Sequence, residues 1–127
     1  TLEQLENMHQ LKTGALLQAS ISMATKCIPN IPTEHQQALV KYASAVGLAY
    51  QVRDDIIDII SDEKILGKPK GSDLAANKTT YPALLGLEGA QDKAEHLYQE
   101  ALQALNTLPY NTQNLSEFAT FIINRDS

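Results

Sequence analysis

The chain has 127 residues, 43% hydrophobic and 20% charged, which is enough to bury one core and too little for two full domains. Its formal net charge of -5 argues against a general nucleic-acid binder or a ligand of anionic membranes, since both need a basic patch. A small anionic substrate stays open, because a metal ion or a lysine cluster can reverse the sign of a pocket.

The one cysteine, Cys27, excludes an internal disulfide and fits a reducing cytoplasm. His9, His35 and His96 lie too far apart in sequence to suggest a zinc site. The charge-free run from Thr13 to Thr25 is too short and too polar to span a bilayer, so stable membrane insertion is not expected. The chain opens without Met, directly on a helical pattern, and is read as part of something longer.

Taken in chain order, the pattern is helical throughout. Apolar residues at Leu2, Leu5, Met8, Leu16, Ala19 and Met23 predict a first helix from Leu2 to Cys27, closed by Pro29 and Pro32. Thr33 is a plausible N-cap for a second helix running toward Ser61, about 40 Å long. Its stretch from Tyr42 to Val52 carries no charge, which predicts a central helix packed on nearly every side. A basic loop with glycine at both ends follows, Gly67 to Asp73. Thr80 and Tyr81-Pro82 open a third helix, whose apolar positions run through Leu84, Leu87, Ala94, Leu97, Ala101 and Leu105. A short last helix is expected near Leu115 to Ile123. The class is all-α, with short loops that suit antiparallel neighbours.

The informative segment is Gly47 to Asp58, where three aspartates follow the charge-free stretch that ends at Val52. Residues three and four apart share a helix face, so Gln51, Asp54 and Asp58 align and Asp62 extends the row. Gly47 falls on the same face, where its missing side chain is expected to leave room for a ligand. Asp55 lies about 100° around and is expected to support the site. Carboxylates one turn apart repel, and on a buried helix they need a cation. With no His or Cys nearby, these oxygen ligands suit Mg²⁺, which takes one or two carboxylates and leaves positions for water and phosphate. Asp is also poor in a helix interior and opposes the dipole near a C-terminus. Local rules broken this way point to a functional site. Lys12, Lys68 and Lys78 are the candidates for a diphosphate cradle; Thr13 to Leu17 after Lys12 reads as buried helix, so that lysine should face something anionic.

Four segments together resemble the trans-isoprenyl (polyprenyl) diphosphate synthases, the bacterial farnesyl-producing members above all. They are His9 to Leu16, Gly47 to Asp58, Leu66-Gly67-Lys68, and Asn77 to Gly86, in that order and spacing. The resemblance covers essentially the whole chain. It implies the C-terminal half of an antiparallel helical bundle of the isoprenoid (terpenoid) synthase type, with residues 1–127 forming a single partial domain. It also implies that Asp54, Asp55 and Asp58 form the second aspartate-rich motif, the first of them binding Mg²⁺, with Asp73 near the metal's waters. Lys12, Thr13, Gln51, Lys68 and Lys78 match the site of the allylic diphosphate, and Lys12, Thr13, Gln51 and Lys68 are the residues expected to act on it. Arg125 sits where family members often keep basic residues, though Asp126-Ser127 follow it here.

The reaction so implied is Mg²⁺-assisted ionisation of dimethylallyl or geranyl diphosphate, three ions serving a complete site. Condensation with isopentenyl diphosphate follows, giving a short-chain product such as farnesyl diphosphate, in a cytoplasmic homodimer. The family's first aspartate-rich motif and homoallylic site lie in an N-terminal half with no counterpart in these residues, so the chain alone is expected to be inactive. Two alternatives remain open. A class I terpene cyclase normally has Ser or Thr where Asp58 stands and Glu where Asp62 stands. A non-catalytic subunit of a heteromeric synthase commonly loses aspartates or lysines that are kept here.

Overall fold

The computed structural model describes residues 1–9, 14–66 and 80–125, the last five residues of the second segment by backbone alone. Among them every regular element is a helix: α1 (Leu2–His9), α2 (Ala15–Lys26), α3 (Thr33–Leu66), α4 (Tyr81–Asn106) and α5 (Gln113–Asn124). The helix expected from Leu2 to Cys27 is thus seen as α1 and α2, with 10–13 outside the described residues. Asn30 closes the turn after α2 at φ 59, a left-handed conformation that Asn tolerates better than most residues.

At 34 residues and about 50 Å, α3 is the axis of the molecule. The Pro32 carbonyl accepts from both His35 and Gln36 amides, so the helix begins one residue before the position expected from a Thr33 cap. Tyr42, Ala45, Val46, Ala49, Val52 and Ile56 join one core with Ala90, Ala94, Leu97, Ala101 and Leu105 of α4. Spacings of three and four residues link each set into one stripe, and α3 with α4 is the dominant pair. Ala43 and Leu48, on other sides of α3, are also buried, as the charge-free stretch predicts.

The remaining helices dock on this pair. Ala119 and Ile122 bring α5 into the core, and the Tyr98 hydroxyl meets Thr120 Oγ1 at 2.9 Å. Tyr42, buried in α3, donates its hydroxyl to the Leu115 carbonyl at 2.7 Å, and burial pushes its pKa up to about 12. His35 meets the Tyr110 hydroxyl at 2.8 Å, tying the start of α3 to the α4–α5 connection.

Three expectations are corrected. Gly47 does not leave room for a ligand: a Cβ there would lie 3.0 Å from Leu17 Cδ1 and 3.5 Å from Gly14 Cα, so the glycine lets α2 approach α3. The stretch after Lys12 is not wholly buried: Gly14 is, but Ala15 is exposed and Leu16 is 69% exposed, because α2 turns that side away from α3. The apolar stripe of α4 does not run unbroken, since Gly86 interrupts the helix at φ 77, ψ 164. Leu84 and Leu87 flank that break and are exposed, and the regular core stripe starts at Ala90.

Candidate active site at the acidic end of α3

From Arg53 to Ser61 the axial helix carries charge on one side and core on the other. Val52 and Ile56 are completely buried, and this anchors the helix rotation. Asp54 and Asp58, four apart, therefore share a face directed away from the core, and both are exposed. This corrects the expectation of a buried acidic face, because the helices packed here cover only the Val52–Ile56–Ile59 side. Gln51, one turn before Asp54 and in register with the row, is half-buried.

A cation already stands beside Asp54. Arg125, just past α5, places Nη2 3.3 Å from Asp54 Oδ1; its side chain is 12% exposed against 55% for Asp54. The guanidinium carbon lies 4.4 Å from the centre of the Tyr50 ring, within cation–π range. Arg53 Nε donates to the Arg125 carbonyl at 2.8 Å, fixing the backbone at the same point. So three side chains of α3 hold the end of α5 against the acidic face. Arg125 was only a loose match in the sequence, 71 positions from its partner.

Asp55 faces elsewhere. It is half-buried, and its Oδ2 accepts from the Tyr81 backbone N–H at 3.2 Å, at the first residue of α4. The Tyr81 side chain is fully buried and its hydroxyl lies 3.3 Å from His9 Nδ1 of α1. Burial holds that phenol well above its usual range, and the carboxylates of Glu6 and Asp55 add to the effect. Glu6 in turn pairs with Lys93 of α4. Tyr81 and His9 were not candidates from sequence; the Tyr81-Pro82 pair signalled only a helix start.

The structure thus brings together Gln51, Asp54, Asp55 and Asp58 with Arg125. Lys12, Thr13, Lys68, Asp73 and Lys78 lie outside the described residues, as does the side chain of Asp62. Among the described residues no group of three or more His, Cys, Asp or Glu could enclose a metal ion, and no helix is long and apolar enough to cross a membrane. Two exposed carboxylates one turn apart are nevertheless a donor set that fits Mg²⁺. That ion dehydrates reluctantly and is commonly held by one or two carboxylates together with water and phosphate oxygens.

The sequence model described as polyprenyl synthetase matches residues 1–115. The farnesyl diphosphate synthase of Haemophilus influenzae is 47% identical over 100% of this chain and 43% of its own length. That of Escherichia coli is 41% identical over 98% of the chain and 43% of its own. The geranylgeranyl diphosphate synthase of Cyanophora paradoxa is 38% identical over 100% of the chain and 42% of its own. The crystal structure of a proposed farnesyl-diphosphate synthase from Marinomonas sp. MED121 superposes with a TM-score of 0.79 at 37% identity, covering 98% of this chain and 40% of that one. The chain spans less than half the length of these relatives.

Proposed function

The chain belongs to the polyprenyl synthetase family, and from that premise we propose that it carries the metal-binding and allylic half of a trans-prenyltransferase site. The observation that supports this reading is the exposed Asp54–Asp58 face that follows directly on the uncharged, largely buried stretch Tyr42 to Val52 of α3. Such a face is of no use to the core, and it presents two carboxylates one helical turn apart, the oxygen donors that Mg²⁺ takes together with water and phosphate.

In the complete protein, Asp54 and Asp58 would hold Mg²⁺, Asp54 as the principal ligand. The ion would supply Lewis-acid neutralisation of the departing diphosphate. Lys12, Lys68 and Lys78, with Thr13 and Gln51, would donate hydrogen bonds to the same diphosphate of a dimethylallyl or geranyl substrate. Their fixed charges stabilise the negative charge that develops as the carbon–oxygen bond breaks. The double bond of isopentenyl diphosphate would then attack the allylic cation to form the new carbon–carbon bond, and a proton would be lost. No nucleophilic Ser, Cys or His is required. Farnesyl diphosphate is the proposed product, because relatives of that name stand at 47% and 41% identity. A cytoplasmic homodimer is proposed on the family resemblance alone.

The test is incorporation of labelled isopentenyl diphosphate by the complete protein containing this chain, with dimethylallyl or geranyl diphosphate, with and without Mg²⁺. A Mg²⁺-dependent C15 product is the expected result. Diphosphate release without uptake of the label, or no turnover at all, would overturn the reading.

A further inference from the structure

The start of α4 can be accounted for donor by donor. The first backbone N–H groups of a helix have no partner within it and must find one elsewhere. Here Ala83 N–H is taken by Thr80 Oγ1 and Leu84 N–H by the Thr80 carbonyl, while Pro82 has no N–H to satisfy. That leaves Tyr81 N–H, which belongs to a completely buried residue and is taken by Asp55 Oδ2 from α3. A carboxylate is also the group that a helix N-terminus favours electrostatically. Asp55 therefore completes the cap of α4 from a neighbouring helix. The hydroxyl of the same Tyr81 reaches His9 at the end of α1, with the two rings 5.4 Å apart.

These contacts meet where the candidate site needs its parts held together. Asp55 follows Asp54 directly, His9 lies three residues before Lys12, and Tyr81 lies three residues after Lys78. We infer that His9, Tyr81 and Asp55 form a positioning clamp that holds the end of α1 and the start of α4 against the acidic end of α3, and that Asp55 serves this clamp rather than the metal. The inference rests on the proposed prenyltransferase site for its purpose, while the clamp itself is a matter of hydrogen bonds. It separates the three aspartates of the motif into two exposed ones for the ion and one that fixes α4.

The experiment compares Asp55→Asn, Asp55→Ala and Asp54→Asn in the complete protein. Amide hydrogen exchange at Tyr81 is read by fragmentation mass spectrometry, and Mg²⁺ binding by calorimetric titration in the presence of inorganic diphosphate. Asp55→Ala should speed exchange at Tyr81 by about tenfold or more, the scale of one lost hydrogen bond to a charged acceptor. Asp55→Asn keeps an acceptor oxygen and should restore most of that protection. Its Mg²⁺ affinity should stay within about threefold of the parent, whereas Asp54→Asn should lose about tenfold or more, as loss of a metal-site partner does. Unchanged Tyr81 exchange in Asp55→Ala would overturn the clamp, as would an Asp55→Asn variant that binds Mg²⁺ as poorly as Asp54→Asn. Failure of the parent protein to make a prenyl product would instead remove the proposed function and leave the exchange result standing.

Discussion

The middle and the end of α3 are parts of one continuous helix governed by different forces. From Tyr42 to Val52 the helix is clad on several sides, and what matters there is shape: Gly47 admits α2, Ala45 and Ala49 admit α4, and Tyr42 finds its one acceptor on α5. From Arg53 to Ser61 the Val52–Ile56–Ile59 side stays in the core, and the aspartates are arranged by charge. Asp54 meets Arg125, Asp55 meets the N-terminus of α4, and Asp58 shares the exposed face of Asp54. The buried stretch serves as a rigid mount, so that the segment after it can present Asp54 and Asp58 at fixed spacing.

That division can be broken most severely where the core reaches under the acidic end. Ile56→Ala removes a completely buried side chain between Asp55 and Asp58 and should cost about 2–5 kcal/mol, read as a lowered denaturation midpoint at unchanged slope. A smaller effect follows from Tyr42. Its pKa is raised from 10.0 to about 12 by burial, so the folded state keeps a proton that the unfolded chain releases. Its contribution is fully present below pH 10 and is lost as pH rises from 10 to 12, by an amount on the order of 2–3 kcal/mol. Tyr42→Phe should flatten that alkaline fall in a urea titration repeated across pH. The smallest change is expected at Gly47. Alanine there gains about 1 kcal/mol of helix propensity and loses a similar amount by pressing on Leu17 Cδ1, so stability should move by less than about 1 kcal/mol. Gly47→Leu, by contrast, should force α2 away and destabilise clearly.

The two halves also differ in how far the sequence betrays them. The burial of Tyr42 to Val52 follows from eleven positions without a charge, because only neighbours on all sides make such a helix stable. The start of α4 was legible for a similar local reason: Thr80 accepts from Ala83 N–H just as a Thr ahead of Tyr-Pro suggests. The reason for Gly47 was not legible, since a missing side chain looks the same whether a ligand or a helix lies opposite. Gly86 was hidden inside an apolar stripe that continues across it, and nothing local says that its φ is positive. The Asp54–Arg125 and Asp55–Tyr81 contacts join residues 71 and 26 positions apart, so only the fold reveals them. The exposed Leu16 and Met23 show the converse limit: periodicity identifies an apolar face without saying that this chain covers it.

The central claim is that the Asp54–Asp58 face is built for a metal-bound diphosphate. Its most direct test is Asp54→Ala in the complete protein, with steady-state prenyl transfer and thermal unfolding measured on the same preparation. Turnover should fall about 10²–10³, the scale of losing one charge-stabilising group, while the unfolding temperature drops by only a few degrees, the cost of depriving Arg125 of a carboxylate that is itself 55% exposed. Turnover close to that of the parent, with folding intact, would contradict the claim.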